Sequence, residues 1–91
     1  MSESSTRRAK RQVETHEYLQ MARRMIRAAG TRVGNDDVEY LSELVDLREY
    51  LNTAIVSAVA GLRKSGHTWQ DIGDATGTTR QAAIMKWSRL V

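Results

Sequence analysis

The 91-residue chain has no cysteine and no proline, and no apolar run approaches the roughly 18 residues of a membrane-spanning helix. Without cysteine, disulfide bonds and cysteine-ligated zinc are excluded. An all-β domain of this size needs many tight turns, and the six glycines are not placed at strand spacing. Residues 1–5 are polar and lack the apolar stretch of a signal peptide. We therefore expect a soluble, cytoplasmic, all-α domain with no membrane partner.

Aromatic side chains are also scarce, with two tryptophans, three tyrosines and no phenylalanine. A hydrophobic core must therefore come mainly from leucine, valine, isoleucine, methionine and alanine. Chains of this length bury only about 60–65% of the surface that the unfolded chain exposes. The length thus indicates about one domain with a thin core.

Charge is unevenly distributed, although the net charge is only +3. Residues 1–34 carry eight basic and three acidic side chains, residues 35–62 carry one and six, and residues 63–91 carry five and two. Two basic ends around an acidic middle are typical of a chain with a polyanionic partner and an acidic surface that is either internal or faces a protein partner. The alternative is that the charged residues only solvate the helices.

Helical spacing of apolar residues predicts four helices, over about residues 5–29, 36–64, 69–76 and 79–90. Residues 1–5 are expected to be disordered. Gly30 is the expected C-terminal cap of the first helix, and residues 31–35 are predicted to form a loop. Asn35 or Asp36 would then cap the long second helix.

The first helix and the first half of the second are expected to pair as an antiparallel hairpin over residues 6–53. That hairpin would bring Arg23 and Arg27 within reach of Glu43 and Glu39. The apolar stripe of the first helix is too narrow to cover the apolar surface of the second, so we expect a homodimer. The residues expected in the dimer interface are Leu41, Leu44, Val45, Leu47 and Leu51.

Residues 54–91 are expected to form a helix-turn-helix unit, with the end of the long helix packed under two short helices. Thr68 can cap the first short helix, with Asp71 in the reciprocal capping position. Gly73 is small where the second short helix must cross closely. Gly77 can adopt the positive φ that the turn requires.

The second short helix has the side chains of a DNA-reading helix. Ala83 and Trp87 are predicted to form its buried side, and Trp69 is assigned to the core rather than to base stacking. Arginine pairs with guanine, glutamine pairs with adenine, and apolar tips touch thymine methyl groups. The residues expected to read bases are Thr79, Arg80, Gln81, Ile84, Met85 and Ser88.

Phosphate contacts are expected beside the reading helix, from Thr68, Lys86 and Arg89. The basic run near the N-terminus has three alternative interpretations. It is a solvated helix start, an arm that follows DNA phosphates, or a protein-binding site. This run consists of Arg7, Arg8, Lys10 and Arg11.

A specific pattern covers residues 68–83. It consists of Thr-Trp-Gln-Asp-Ile-Gly over residues 68–73, then Gly77, then Thr-Arg-Gln-Ala-Ala over residues 79–83. This pattern resembles the helix-turn-helix of small DNA-binding proteins common in actinobacteria and their phages. It is also similar to the DNA-reading helix-turn-helix of sigma-factor region 4. The resemblance implies an all-helical unit that binds duplex DNA, and a weaker match extends back through residues 44–62.

The sequence departs from this family at two positions in the turn. The family usually has leucine where this chain has Thr76, and valine where it has Thr78. Either the turn is less buried here, or the two hydroxyls bond to nearby backbone.

Nothing in the sequence forms a catalytic constellation. No serine or threonine has a paired histidine and acid, and no glycine-rich phosphate loop is present. His16 has no second histidine at helical spacing, and His67 is interpreted as a turn residue. We expect no enzyme activity, cofactor, metal site or small-molecule substrate.

The sequence favours specific binding of double-stranded DNA, as a small transcription regulator of phage, plasmid or bacterial origin. Three alternatives stay open. The chain could be a helical hairpin without a DNA role, or a DNA-packaging recognition subunit. It could also be a phage-encoded modulator that binds a host protein through its helix-turn-helix or its acidic helix, residues 36–49. The salt dependence of duplex binding separates the DNA-binding from the protein-binding interpretation.

Overall fold

The computed structural model describes residues 3–91 and is helical, with no strand in that range. Its elements are α1 (Glu3–Gly34), a single 3₁₀ turn (Val38–Tyr40), α2 (Leu41–Lys64), α3 (Trp69–Ala75) and α4 (Arg80–Trp87). The all-α prediction is confirmed. None of the helices between residues 3 and 91 combines the length and apolar character needed to cross a bilayer.

The chain divides into two compact units, residues 1–45 and residues 46–91, here called the N-terminal unit and the C-terminal unit. The N-terminal unit holds α1, the 3₁₀ turn and the first residues of α2. The C-terminal unit holds the rest of α2 together with α3 and α4. This boundary lies several residues before the predicted one at residue 54.

α1 is longer at both ends than the sequence predicts. Residues 3–5 are helical rather than disordered, whereas the same prediction for Met1 and Ser2 lies outside the described residues. The predicted helix end at Gly30 is wrong, because α1 continues to Gly34. A glycine inside a helix costs only about 1 kcal/mol, which the backbone bonds of a further turn can offset.

α1 is terminated instead by a residue in the left-handed region. Asp36 has a φ of +81°, a conformation that aspartate tolerates better than most residues. The Asp37 N–H then donates to the Val33 carbonyl at 3.0 Å. Neither Asn35 nor Asp36 therefore caps the second helix as predicted. The helical path resumes in the 3₁₀ turn after Asp37, whose side chain makes no capping hydrogen bond.

The N-terminal unit has no buried side chain among residues 4–45. Among the large side chains expected to meet in the hairpin, Leu19 is 61% exposed, Ile26 51% and Leu41 48%, whereas Leu44 is half-buried. Local backbone bonding, rather than a core of its own, therefore maintains the helical structure of this unit. The antiparallel hairpin and its arginine–glutamate register stay predictions.

The C-terminal unit has a small core to which three helices contribute. Val59 of α2, Ile72 of α3 and two residues of α4, Ala83 and Trp87, are buried together. Two half-buried side chains pack against this cluster, Val56 and Trp69. The prediction that Trp87 is a core residue is confirmed. The large area of this indole dominates the apolar burial of so small a core.

Candidate nucleic-acid interface

The start of α3 is held by a reciprocal cap, as the sequence predicts. The Asp71 N–H donates to the Thr68 hydroxyl at 3.0 Å, and the Thr68 N–H donates to Asp71 Oδ2 at 2.9 Å. The Thr68 backbone N–H first, and the Thr68 side chain second, favour the ionised carboxylate and hold the pKa of Asp71 below its ordinary value. His67 Nδ1 lies 3.5 Å from the same carboxylate oxygen. The cap thus fixes the point at which the chain enters the two-helix unit.

The connection between α3 and α4 is a tight glycine turn. Gly77 has a φ of +70°, which confirms its predicted role. The Thr78 N–H donates to the Gly73 carbonyl at 2.8 Å, and the Gly77 N–H donates to the Asp74 carbonyl at 3.3 Å. These two bonds form the Schellman pattern that ends a helix at a left-handed residue.

The departure at Thr76 has a structural explanation. Its hydroxyl donates to the Ile72 carbonyl at 2.8 Å, so this side chain bonds the helix end rather than packing as leucine would. The chain therefore takes the second of the two alternatives at this position. Thr78 is half-buried, and nothing in the structure explains the hydroxyl there.

Gly73 is the point of closest approach between α3 and the residues that start α4. A Cβ added there would lie 2.9 Å from both the carbonyl carbon and the carbonyl oxygen of Thr79, and 3.0 Å from the Thr78 oxygen. The neighbouring atoms are backbone, so they cannot move aside as a flexible side chain could. The predicted need for a small residue is confirmed, and this contact determines how closely α4 approaches α3.

α4 begins with a second threonine cap and presents two different faces. The Thr79 hydroxyl accepts from the Ala82 N–H at 3.0 Å, and a hydroxyl that accepts in this way can still donate its own O–H. Ala83 and Trp87 are buried, as predicted. The helix ends at Trp87, and residues 88–90 form a turn rather than the predicted last helical residues.

Most of the expected base-reading side chains are exposed. Thr79, Arg80, Gln81, Met85 and Ser88 lie on the surface, whereas Ile84 is half-buried and does not point fully outward as predicted. At 100° per residue, Gln81 and Met85 lie across the helix from Ala83 and Trp87.

Arg80 lies differently from Gln81 and Met85. Arg80 precedes Ala83 by three residues and Trp87 by seven, so it lies on the same side of α4 as these two buried residues. It is nevertheless exposed, because it is the first residue of the helix. The outward face therefore centres on Gln81 and Met85, with Arg80 at its N-terminal edge.

The expected phosphate-contacting residues near α4 are also exposed. Thr68, Lys86 and Arg89 lie on the surface of the C-terminal unit. The Lys86 ammonium lies 5.2 Å from the centre of the Trp87 ring, a cation–π distance. The four basic residues of the N-terminal run are exposed on α1, where Lys10 Nζ lies 4.0 Å from Glu14 Oε1.

Charge is segregated within the two-helix unit. α4 and the turn after it carry three cations and no acidic residue. Asp71 and Asp74 are exposed on the side of α3 opposite the stripe formed by Trp69, Ile72 and Gly73. Gln70 Nε2 donates to Asp74 Oδ1 at 2.8 Å on this acidic side. The face of α4 is therefore positive and free of acidic neighbours on its own helix.

Sequence reasoning missed one residue that organises the entry to α3. Arg63 lies in the last turn of α2, where a cation suits the negative end of the helix. Its guanidinium lies 5.0 Å from the centre of the Trp69 ring, and Nη1 donates to the His67 carbonyl at 3.0 Å. A cation six residues before a tryptophan across a glycine turn is the signal that could have found it. Arg63 thus joins the end of α2 to the start of α3.

Within residues 3–91, no three potential metal-ligating side chains of histidine, cysteine, aspartate or glutamate gather in one place. Comparison of the chain with protein-family models, with curated proteins and with solved structures finds no match. The features that suit a nucleic-acid interface are therefore the geometry and charge of residues 54–91.

Proposed function

We propose that residues 54–91 form a helix-turn-helix unit that binds double-stranded DNA in a sequence-specific manner, as a small transcription regulator of phage, plasmid or bacterial origin. The observation that carries this proposal is the exposed, acid-free face of α4, held rigidly by the Gly73 approach and the Gly77 turn. Gln81 and Met85 at its centre and Arg80 at its edge would enter the major groove.

Lys86 and Arg89 flank that face and would contact phosphates, which fix register but carry no sequence information. The basic run of α1 would add further phosphate contacts. α1 and the first half of α2 would pair antiparallel and form a homodimer, with Leu41, Leu44, Val45, Leu47 and Leu51 in its interface. Two reading helices would then suit half-sites about 34 Å apart or a multiple of that distance.

A second candidate function is protein binding, and the exposed apolar side chains of the N-terminal unit favour it. In that case the chain would act on a host protein through the acidic segment 36–49 or the two-helix unit. A DNA-packaging recognition subunit would read DNA with the same helix and would differ from a transcription regulator in its biological role.

Selection of duplexes from a random pool by the full chain tests the proposed function. We expect one enriched motif. The logarithm of its association constant should fall linearly with the logarithm of salt concentration, with a slope of about −0.9 for each phosphate contact. Gln81→Ala should weaken binding to that motif. Gln70→Ala, the same change on the acidic side of α3, is the matched control and should not. An unenriched pool, with no duplex binding at low salt, would contradict the proposal and leave protein binding.

A further inference from the structure

Two exposed apolar stripes of equal length lie on α1 and α2. At 100° per residue, one face of α1 gathers apolar side chains over residues 18–33, and one face of α2 does so over residues 41–55. Each stripe is about 22–24 Å long at 1.5 Å per residue. The large exposed members are Tyr18, Leu19, Met25 and Ile26 on α1 and Leu41, Val45, Leu47, Leu51 and Ile55 on α2.

The stripes are bordered by charges of opposite sign. Residues 18–34 carry four arginines and no acidic residue, whereas residues 35–49 carry six acidic residues and one arginine. That arginine, Arg48, interrupts the α2 stripe itself. Helical geometry places Arg23 and Arg32 on the two edges of the α1 stripe, and Glu49 and Glu43 on the two edges of the α2 stripe. All four of these side chains are exposed.

A chain that carries one basic and one acidic apolar stripe is complementary to a second copy of itself. Under a two-fold axis, the basic stripe of each copy meets the acidic stripe of the other, so every favourable contact occurs twice. A contact of α2 with α2, or of α1 with α1, would instead bring like charges together.

We infer that residues 18–33 of one copy pack on residues 41–55 of a second copy, and reciprocally. This exchanged pairing would cover both stripes, which are exposed in the single chain. It keeps the homodimer of the proposed function but changes the pairing within it, since α1 meets α2 of the second copy rather than α2 of its own chain. The pairing itself needs no DNA. If the chain selects no DNA motif, the exchanged pairing is unaffected. If the chain selects DNA but stays monomeric, the exchanged pairing is overturned and the proposed DNA binding is not.

Sedimentation velocity of the full chain provides the first test. A species of about twice the 10.3 kDa chain mass is expected at micromolar concentration. A mass that stays at that of one chain up to high concentration overturns the inference.

Charge reversal provides the second and sharper test. The variant Arg23→Glu/Arg32→Glu has two negative stripes, and Glu43→Arg/Glu49→Arg has two positive stripes. Each alone should raise the dimer dissociation constant at least about tenfold. An equimolar mixture of the two should form a heterodimer, and the chain that carries all four changes should recover the homodimer.

The matched control reverses charges on the opposite faces of the same helices. Arg24→Glu and Asp46→Arg lie away from the stripes and should leave the dimer unchanged. Far-UV circular dichroism checks that the helices persist. The fluorescence of Trp69 and Trp87, both in the C-terminal unit, checks its core.

Three further results would overturn the inference. If the stripe variants dimerise like the parent chain, the interface lies elsewhere. If the four-change chain recovers the dimer but the mixture does not, α1 pairs with α2 of its own chain. If neither recovers it, the charges do not act across this contact.

Discussion

The two units of this protein are both mainly helical but differ in what their helices pack against. α3 and α4 have only seven and eight residues, yet they are capped, joined by a glycine turn and packed on α2 around four buried side chains. α1 has 32 residues, and no side chain in residues 4–45 is buried. Isolated helices in water depend on length, whereas short helices need tertiary packing.

This difference indicates distinct roles for the two units. The C-terminal unit is organised to hold one surface, the face of α4, in a fixed position. The N-terminal unit leaves its apolar side chains available, which suits a segment completed by another chain. The following predictions test whether stability lies mainly in the C-terminal unit and how the two units differ in DNA binding.

The largest expected effect is on the core of the C-terminal unit. Trp87→Ala should cost about 3–5 kcal/mol of the free energy of unfolding, because Trp87 is the largest side chain of a four-residue core. Chemical denaturation followed by circular dichroism measures the decrease. Tyr18→Ala in the N-terminal unit, where the ring is 67% exposed, is the control and should change stability by at most about 0.5 kcal/mol in the monomer. Equal decreases in the two variants would remove the distinction between the units.

The next effect concerns the close approach of α3 to the start of α4. Gly73→Ala should destabilise the protein by about 1–3 kcal/mol, because the added Cβ would meet backbone atoms 2.9 Å away. Gly61→Ala, inside α2 with open space around its Cα, should instead stabilise by about 0.5–1 kcal/mol. Thermal denaturation of both variants measures the difference. A stable Gly73→Ala protein would show that the turn shifts easily.

Sequence reasoning succeeded where local chemistry determines structure. The Thr68–Asp71 cap, the positive φ of Gly77 and the burial of Trp87 each follow from a short pattern whose physical basis lies within a few residues. All-helical structure also followed from spacing and from the absence of proline.

Sequence reasoning was weaker where small free-energy differences or distant partners determine the outcome. Gly30 resembles a helix cap, but continuing the helix to Gly34 costs little, and the left-handed residue is Asp36 instead. The hairpin stays a prediction for a related reason. Which chain covers Ile26 or Leu41 is not encoded in the spacing of either helix.

The same contrast between the units should appear in DNA binding. Arg80→Ala in the C-terminal unit should cost about 1–3 kcal/mol on the selected duplex and relax specificity at one base pair. Arg8→Ala/Arg11→Ala in α1 should weaken all duplexes about equally and reduce the salt slope by about 0.9 for each phosphate that is no longer neutralised. Fluorescence anisotropy on selected and scrambled duplexes at several salt concentrations separates the two effects. If Arg80→Ala binds its selected site as well as the parent, the reading face is assigned wrongly.

The smallest expected effect is a pH dependence in the C-terminal unit. Bonds from Thr68 lower the pKa of Asp71 in the folded protein, so the ionised carboxylate stabilises the fold. That stability is fully present above the unfolded pKa of about 3.9 and is lost as pH falls through the lower folded value. Asp71→Asn should therefore melt below the parent at neutral pH, and the gap in Tm should close under acid conditions. A gap that is constant with pH would mean that the carboxylate charge contributes nothing to the cap.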